Sequence, residues 1–156
     1  MWYKKLIYKK ATLADIPAMQ SIVKKEVENG TILFRSDDDV ATNIRSYTIA
    51  LNNSTIVGYA ALHIHTKNLA EVRSLVVDEN HRGKKIGATL VKELKKEAIS
   101  LKLKQIFTLT YEKNFFEKLD FTEIPKESLP EQKIWADCIK CKHFPVCNEV
   151  SLIIDL

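Results

Sequence analysis

The fold is decided by the stretch LVVDENHRGKKIG at residues 75–87. It begins with apolar residues typical of a strand, passes through a short glycine-containing loop, and enters an amphipathic pattern at Ile86. A strand that leads through such a loop into a helix presents free backbone N–H groups and the positive end of the helix dipole. Arg82, Lys84 and Lys85 add positive charge. The stretch is therefore predicted to bind an anionic ligand.

The regions on both sides of this stretch predict helices and strands in one fold. Downstream, apolar residues recur at helical spacing, and this helix is expected to end near Ser100. Upstream, residues 71–77 predict a strand whose alternation would place four side chains on one face: Glu71, Arg73, Leu75 and Val77. Further strands are predicted at 6–10, 47–51, 55–64, 105–111 and 149–156, and further helices between Thr12 and Asn29, from Ser36, and at 114–119. Helices that interrupt a mostly antiparallel set of strands predict an α+β, or mixed α/β, fold.

The composition predicts one domain. The chain has 156 residues, of which 46% are hydrophobic and 28% are charged, so it can bury one sizeable core. This balance excludes an intrinsically disordered or collagen-like chain. The apolar runs are far too short for a membrane span, and residues 1–10 lack the apolar run of a signal peptide. We therefore expect a single domain over residues 1–156, no membrane partner and a cytoplasmic location.

The charge distribution limits the class of ligand. The net charge is +4, and much of the excess is concentrated at residues 82–104. Composition alone leaves a nucleic acid and a phosphorylated cofactor open, but few aromatic residues interleave with these lysines, which disfavours nucleic-acid stacking. Neither a Walker loop nor Gly-x-Gly-x-x-Gly is present. We therefore do not expect a nucleic-acid partner.

Two motifs resemble those of the GNAT acetyltransferase superfamily. The first, RGKKIG at residues 82–87, is similar to the acetyl-CoA-binding signature Arg/Gln-x-x-Gly-x-Gly/Ala, with Lys85 where the family usually has glycine. The second, FFEKLDF at residues 115–121, resembles the late motif Phe-Tyr-x-Lys-x-Gly-Phe. Here Phe116 replaces the usual tyrosine, and Asp120 replaces a glycine whose left-handed backbone an aspartate tolerates. The resemblance covers most of the chain.

This resemblance implies a fold and a co-substrate. The fold is a central, mostly antiparallel twisted sheet that is flanked by helices and splayed at the acetyl-CoA-binding strand. Acetyl-CoA would bind there as co-substrate, with a backbone N–H of Val77 polarising the thioester oxygen. The residues implied for cofactor binding are Leu75, Val76, Val77, Arg82, Gly83, Lys84, Lys85, Ile86, Gly87, Asn114 and Phe116.

Direct acetyl transfer requires an amine to lose a proton, attack the thioester carbonyl and expel a thiolate. Most primary amines are protonated at neutral pH because their pKa is close to that of lysine, about 10.4, so a base is useful. Glu71 lies where many GNAT enzymes carry a catalytic glutamate, and the alternative is a surface carboxylate paired with a lysine. Because Phe116 lacks a hydroxyl, Tyr111 is the candidate for protonating the thiolate, and an ordinary strand-end tyrosine is its alternative.

Two arginines, Arg35 and Arg73, are candidates for holding a substrate carboxylate in a two-pronged contact. Arg35 lies in a segment that resembles the substrate side of short bacterial amino-acid N-acetyltransferases. Arg73 shares the predicted face of Glu71, so it could instead pair with that carboxylate and weaken it as a base. A strand bulge would change the face that Arg73 occupies.

The C-terminal tail resembles that of one particular group within this superfamily. Residues 129–149 are similar to the ending of short bacterial GNAT proteins assigned as amino-acid N-acetyltransferases, which are relatives of the catalytic part of N-acetylglutamate synthase. The tail thus predicts transfer to the α-amine of an amino acid, with glutamate first, as in arginine biosynthesis. The alternatives are another small amine such as a polyamine, a peptide N-terminus, or a catalytically silent acetyl-CoA-binding module. A homodimer is left open.

The same tail forms a cysteine-containing appendix ahead of the last strand, with Cys138, Cys141 and Cys147 close to His143. A zinc knuckle and a reduced thiol cluster both fit this pattern. The spacing crowds four ligands around one ion, so no metal is expected.

Two histidines at alternate positions, His63 and His65, face the same side of the predicted third strand. They are expected to be structural or solvent-facing. A position lining the substrate cleft is the alternative.

Overall fold

The structure is a computed structural model that describes residues 6–129 and 149–156. Its strands are β1 (Leu6–Lys10), β2 (Tyr47–Asn52), β3 (Thr55–Ile64), β4 (Leu69–Val77), β5 (Gln105–Thr110), β6 (Thr122–Ile124) and β7 (Val150–Asp155). Its α-helices are α1 (Ile16–Glu28), α2 (Asp37–Thr42), α3 (Ile86–Ser100) and α4 (Lys113–Glu117). Every predicted strand and helix is present, and β6 is an addition.

The seven strands form one sheet in the order β1-β2-β3-β4-β5-β7-β6. All neighbouring pairs of described strands are antiparallel except β4 and β5, which run parallel. A parallel pair needs a crossover connection, and α3 provides it. The predicted mixed α/β fold with a mostly antiparallel sheet is confirmed.

Two apolar clusters cover the two faces of the sheet. On one face the buried side of α3 packs against the strands, and Leu90 and Leu94 are fully buried there. On the other face α1 contributes Met19 and Val23, and α2 contributes Val40. The N-terminal helices and α3 therefore lie on opposite sides of the sheet, as expected when each helix has one apolar stripe.

A bulge in β4 interrupts its alternation. Ser74 has a φ of 57°. The register with β3 shifts from Ala61 opposite Arg73 to Tyr59 opposite Val76, so β4 contains one extra residue between these pairs. A β-bulge of this kind bends the strand and reverses the faces of the side chains that follow it.

Because of the bulge, the β4 side chains that follow it lie on the opposite face from the one that strict alternation predicts. Val72 packs in the cluster with α3 and Val76 in the cluster with α1, although strict alternation would place both on one face. Leu75 and Val77 pack against the α3 cluster. They do not share the face of Glu71, and the prediction that they do is wrong.

The parallel ladder between β4 and β5 is short. It runs from Leu69 opposite Gln105 to Glu71 opposite Phe107, and it ends there. One residue further on, the Thr108 hydroxyl donates a hydrogen bond to the Val72 carbonyl at 2.9 Å. Beyond this bond the strands diverge into a V, whose apex we define as Glu71 and Phe107. This is the splay that the family resemblance implied.

Candidate active site

A cavity of about 750 Å³ occupies the V between the diverging strands. Its walls come from residues 72–77, residues 108–112, the loop before α3, and α4. The predicted site residues on these walls are Arg73, Leu75, Val76, Val77, Arg82, Gly83, Lys85, Ile86, Gly87, Tyr111 and Phe116. Four other predicted site residues do not line the cavity: Arg35, Glu71, Lys84 and Asn114.

The anion loop, residues 82–87, presents backbone donors at one end of the cavity. Gly83 has a φ of 80° and Lys85 a φ of 62°, in the left-handed region that favours glycine. Lys85 is the N-cap of α3, and the first hydrogen bond of the helix runs from the Thr89 N–H to the Lys85 carbonyl at 3.0 Å. The N–H groups of residues 86–88 precede that bond and have no acceptor within the helix. Together with the helix dipole they suit a phosphate.

Arg82 connects the anion loop to the end of α1. Its Nη2 donates to Glu26 Oε1 at 2.9 Å, and its Nε donates to the Val77 carbonyl at 3.3 Å. The Thr31 hydroxyl donates to the other carboxylate oxygen of Glu26. The Thr31 hydrogen bond, and after it the Arg82 guanidinium, hold the pKa of Glu26 below its ordinary value although partial burial acts in the opposite direction. Glu26 and Thr31 are cavity residues that the sequence reading missed.

Glu71 is buried at the apex, with 1% of its side chain exposed. His65 Nε2 lies 3.0 Å from Glu71 Oε1, and the His65 side chain is 5% exposed. The His65 ring also packs against Phe107, with the ring centroids 5.3 Å apart. A surface carboxylate paired with a lysine, the alternative for Glu71, is therefore excluded. The His65 side chain is buried and does not face solvent.

The α4 region contributes one hydroxyl and one apolar surface to the cavity. Tyr111 lies on the wall and is 40% exposed. Phe116 also reaches the wall, but it is buried and packs edge-on against Phe115 and Phe121. Asp120 has a φ of 72°, the left-handed conformation that the motif requires at this position.

The two arginines differ in their placement. Arg73 lies on the cavity wall. Arg35 lies outside it, with its Nη1 3.8 Å from Asp39 Oδ2, and the Gln20 amide donates to the Arg35 carbonyl at 2.8 Å. Burial raises the pKa of Tyr59, and the Arg35 charge opposes this rise, so the guanidinium lies near that phenol on the α1 face. The cavity thus includes Arg73 and not Arg35.

Residues 6–129 and 149–156, which the structure describes, contain neither a candidate metal-binding cluster nor a membrane-spanning helix. No group of three His, Cys, Asp or Glu side chains in this part of the chain could hold a metal ion. The cysteine cluster predicted at 138–147 lies outside the described residues. No helix in the described part of the chain has both the length and the apolar character needed to cross a bilayer.

Comparison with known proteins identifies the family. The profile of the Acetyltransferase (GNAT) family matches residues 15–121. The chain belongs to this family. It is 34% identical over 143 residues to an uncharacterized N-acetyltransferase of Chlorobaculum tepidum, and this match covers 92% of each chain. It is 30% identical over 122 residues to the amino-acid acetyltransferase of Mycobacterium tuberculosis, covering 76% of this chain and 69% of that one.

The fold is also similar to that of a solved N-acetylglutamate synthase. N-acetylglutamate synthase from Neisseria gonorrhoeae, complexed with coenzyme A and N-acetyl-glutamate, superimposes with a TM-score of 0.87 at 20% sequence identity. The match covers 99% of this chain and 36% of that one. Several curated amino-acid acetyltransferases are likewise longer, and the chain spans 29% of their length. The similarity to the synthase establishes the shared fold.

The protein is thus a GNAT-type N-acetyltransferase whose co-substrate is acetyl-CoA, and the cavity fits this molecule. The anion loop offers backbone N–H groups and the side chains of Arg82 and Lys85 to the phosphates. Beside the anion loop the wall includes Leu75, Val77 and Phe115, an apolar surface that suits an uncharged pantetheine arm.

Proposed function

We propose that this enzyme transfers the acetyl group of acetyl-CoA to the α-amine of an amino acid, with glutamate as the first candidate. One observation carries the proposal: the V between β4 and β5 places an arginine, Arg73, on the wall of the cavity that begins at the anion loop. A fixed guanidinium is suited to a two-pronged contact with an α-carboxylate. The names of the amino-acid acetyltransferases to which the chain is similar support the same substrate class.

In this proposal the anion loop binds the pyrophosphate of acetyl-CoA. The N–H groups at the start of α3 donate to the phosphate oxygens, and Lys85 adds charge on the cavity wall. Lys84 and Asn114 are exposed and lie off the wall, so they contact only the outer parts of the cofactor. A backbone N–H of Val77 polarises the thioester oxygen.

Glu71 acts as the general base. Its carboxylate is buried beside Val72, whose atoms line the cavity, and it is not itself part of the wall. The amine proton therefore passes to Glu71 through a water molecule rather than by direct contact. Tyr111 lies on the opposite strand's wall and supplies a proton to the departing thiolate. Phe116, buried against Phe115 and Phe121, contributes only apolar contact.

Arg73 holds the α-carboxylate of the acceptor. Arg35 is the secondary candidate, because its guanidinium lies on the α1 face beside Asp39 and off the cavity wall. A polyamine acceptor would favour carboxylates at this place, since its own charge is positive. The cavity wall also includes the acidic residues Glu26, Glu112 and Glu149. It is therefore Arg73 alone that supports an anionic acceptor in this proposal.

The proposal also includes a pathway, a cellular location and an assembly for the chain. Glutamate as acceptor would place the product, N-acetylglutamate, in arginine biosynthesis. The chain would act in the cytoplasm as a single domain over residues 1–156, with residues 129–149 as an appendix before the last strand. It would have no nucleic-acid partner, and a homodimer is the assembly to test by light scattering.

The test is a coenzyme A release assay with the twenty amino acids and several polyamines as acceptors. We expect the fastest release with glutamate or a close relative, and none above background with polyamines. Fastest release with a polyamine would overturn the substrate class. If every acceptor fails while coenzyme A still stabilises the protein against heat, the chain is a silent cofactor-binding module.

A further inference from the structure

His65 makes a buried contact that no part of the proposed mechanism uses. It follows β3 directly, and its backbone N–H donates to the Leu69 carbonyl at 2.9 Å, so the chain turns back toward β4. This turn brings His65 Nε2 to 3.0 Å from Glu71 Oε1. The His65 ring is held between two other rings, with centroid distances of 5.3 Å to Phe107 and 4.8 Å to His63.

The chemistry of the two groups defines the direction of this hydrogen bond. An ionised carboxylate can only accept, so the bond to Glu71 forms when His65 Nε2 carries a hydrogen. A carboxylate that is removed from water and left without a donor is strongly destabilised. The His65 N–H therefore offsets the burial of Glu71 and fixes the position of Oε1.

We infer that His65 is the positioning residue of the acetyl-transfer site, holding the Glu71 carboxylate at the apex through its Nε2–H. The inference rests on the proposed role of Glu71 as base. General-base catalysis depends on the placement of the base relative to the proton that it removes. Packing by Phe107 and the turn back to Leu69 restrict the ring, so the bond is built into the fold.

Two further charged or titratable side chains near Glu71 come from β3 and β4. His63 is the cross-strand partner of Glu71, and Arg73 lies two residues further along β4. Phe107, the partner of Glu71 on β5, carries no charge. The contact from His65 Nε2 to the Glu71 carboxylate is 3.0 Å long, and the side chains of both partners are buried.

A matched pair of variants tests the role of the bond. His65→Gln keeps a side-chain N–H donor, whereas His65→Leu has a similar volume and no donor. We expect His65→Leu to lower kcat about 10- to 100-fold, with little change in the KM for acetyl-CoA, and His65→Gln to recover most of this loss. Equal loss in both variants would overturn the inference.

A double-variant cycle separates positioning from general structural damage. If His65 acts through Glu71, then adding His65→Leu to Glu71→Gln lowers kcat no further than Glu71→Gln alone, to within about threefold. A purely structural role predicts losses that multiply, and that result would overturn the inference while leaving Glu71 as base. A Glu71→Gln enzyme with wild-type kcat would overturn the base and this role together.

Nitrogen NMR of the imidazole provides a readout that does not depend on activity. In the wild-type protein at neutral pH the His65 ring should carry hydrogen at Nε2, and the signal should move in Glu71→Gln. A neutral ring with hydrogen only at Nδ1 would mean that Glu71 donates to His65, and it would overturn the inference. This result is independent of which acceptor the enzyme uses.

Discussion

The anion loop and the apex lie at the two ends of the stretch of β4 that borders the cavity, and they hold their functional groups in different ways. Residues 82–85 are exposed, and the donors proposed for the phosphates are backbone N–H groups. At the apex Glu71 and His65 are buried and held by each other's side chains. A backbone site tolerates changes of side chain, such as Lys85 in place of glycine, whereas the apex depends on single atoms. Substitutions should therefore have large effects at the apex and small ones in the loop.

The largest effect is expected for Glu71→Gln, which keeps the shape of the side chain and an acceptor for His65 but removes the base. The turnover number should fall by roughly 10²–10⁴-fold at neutral pH. The affinity for acetyl-CoA should stay nearly constant, because the anion loop is unchanged. Steady-state kinetics and a cofactor titration measure both quantities.

The pH dependence of this variant provides its control. Raising the pH should recover part of the lost rate, since free amine becomes available without a base on the enzyme. Full activity of Glu71→Gln at every pH from about 6 to 9 would show that the enzyme works by positioning alone, with water accepting the proton.

Arg73→Lys should have the next largest effect, on the acceptor rather than on the cofactor. The lysine ammonium cannot make the two-pronged contact of the planar guanidinium. The KM for the amino acid should therefore rise about 10-fold, while the KM for acetyl-CoA changes little. Arg35→Lys is the matched control, and its smaller effect would agree with its place off the cavity wall. A larger effect for Arg35→Lys would reverse the two assignments.

Lys85→Gly tests the tolerance of the loop. Lys85 has a φ of 62°, which costs a non-glycine residue about 1 kcal/mol or more, and glycine adopts this conformation freely. The greater freedom of glycine in the unfolded chain offsets part of the gain. We expect the variant to be more stable by up to about 1 kcal/mol in chemical denaturation.

Lys84→Gly is the control for that variant, because Lys84 is not among the residues with positive φ. At Lys84 glycine relieves no backbone strain and makes the unfolded chain more flexible, so a loss of stability is expected. Equal changes at both positions would show that the backbone at Lys85 is not strained.

The smallest effect concerns the ion pair that joins Arg82 and Glu26. The pKa of Glu26 is lowered in the folded protein by the Thr31 hydrogen bond and by Arg82. Stability from a carboxyl with a depressed pKa is present above its ordinary value of 4.5 and is lost as the pH falls through the lower folded value. Since the Arg82 side chain is 56% exposed, Glu26→Gln should cost at most about 1 kcal/mol at neutral pH.

Denaturation of wild type and Glu26→Gln at two pH values checks this sign. The difference in unfolding free energy should be largest at neutral pH and should vanish in acid, below the folded pKa of Glu26. A difference that stays constant with pH would assign the effect to packing instead of charge.

Much of the fold could be predicted because its signals are local. The apolar spacing predicted α3 from Ile86 to Ser100 as the structure has it, and the strand-like runs at 47–51 and 55–64 predicted β2 and β3. The three-residue strand β6 was missed because it is short and mostly exposed. The sequence left a bulge in β4 open but could not locate it, because nothing around Ser74 indicates the positive φ that this residue has in the structure.

The site was less predictable because its contacts join distant parts of the chain. The glycine and basic residues of the anion loop are adjacent in sequence, so their motif could be recognised. Arg82 and Glu26 are separated by 56 positions, and only the packing of α1 brings them together. His65 and Glu71 are close in sequence, but their contact depends on the turn after β3. Periodicity in the sequence indicates which face of a strand or helix a side chain occupies, but it does not indicate which residue that side chain contacts.

The most direct test of this division between loop and apex is a titration of isotope-labelled wild-type protein with coenzyme A, followed by backbone amide NMR. At concentrations up to about 1 mM, the largest shifts should occur at Gly83 and residues 86–88, with smaller ones along Val76 and Val77. The amide signals of α2, which lies on the opposite face of the sheet, should not shift. Shifts confined to α2 or to the outer face of α3, or no shifts at all, would contradict the account.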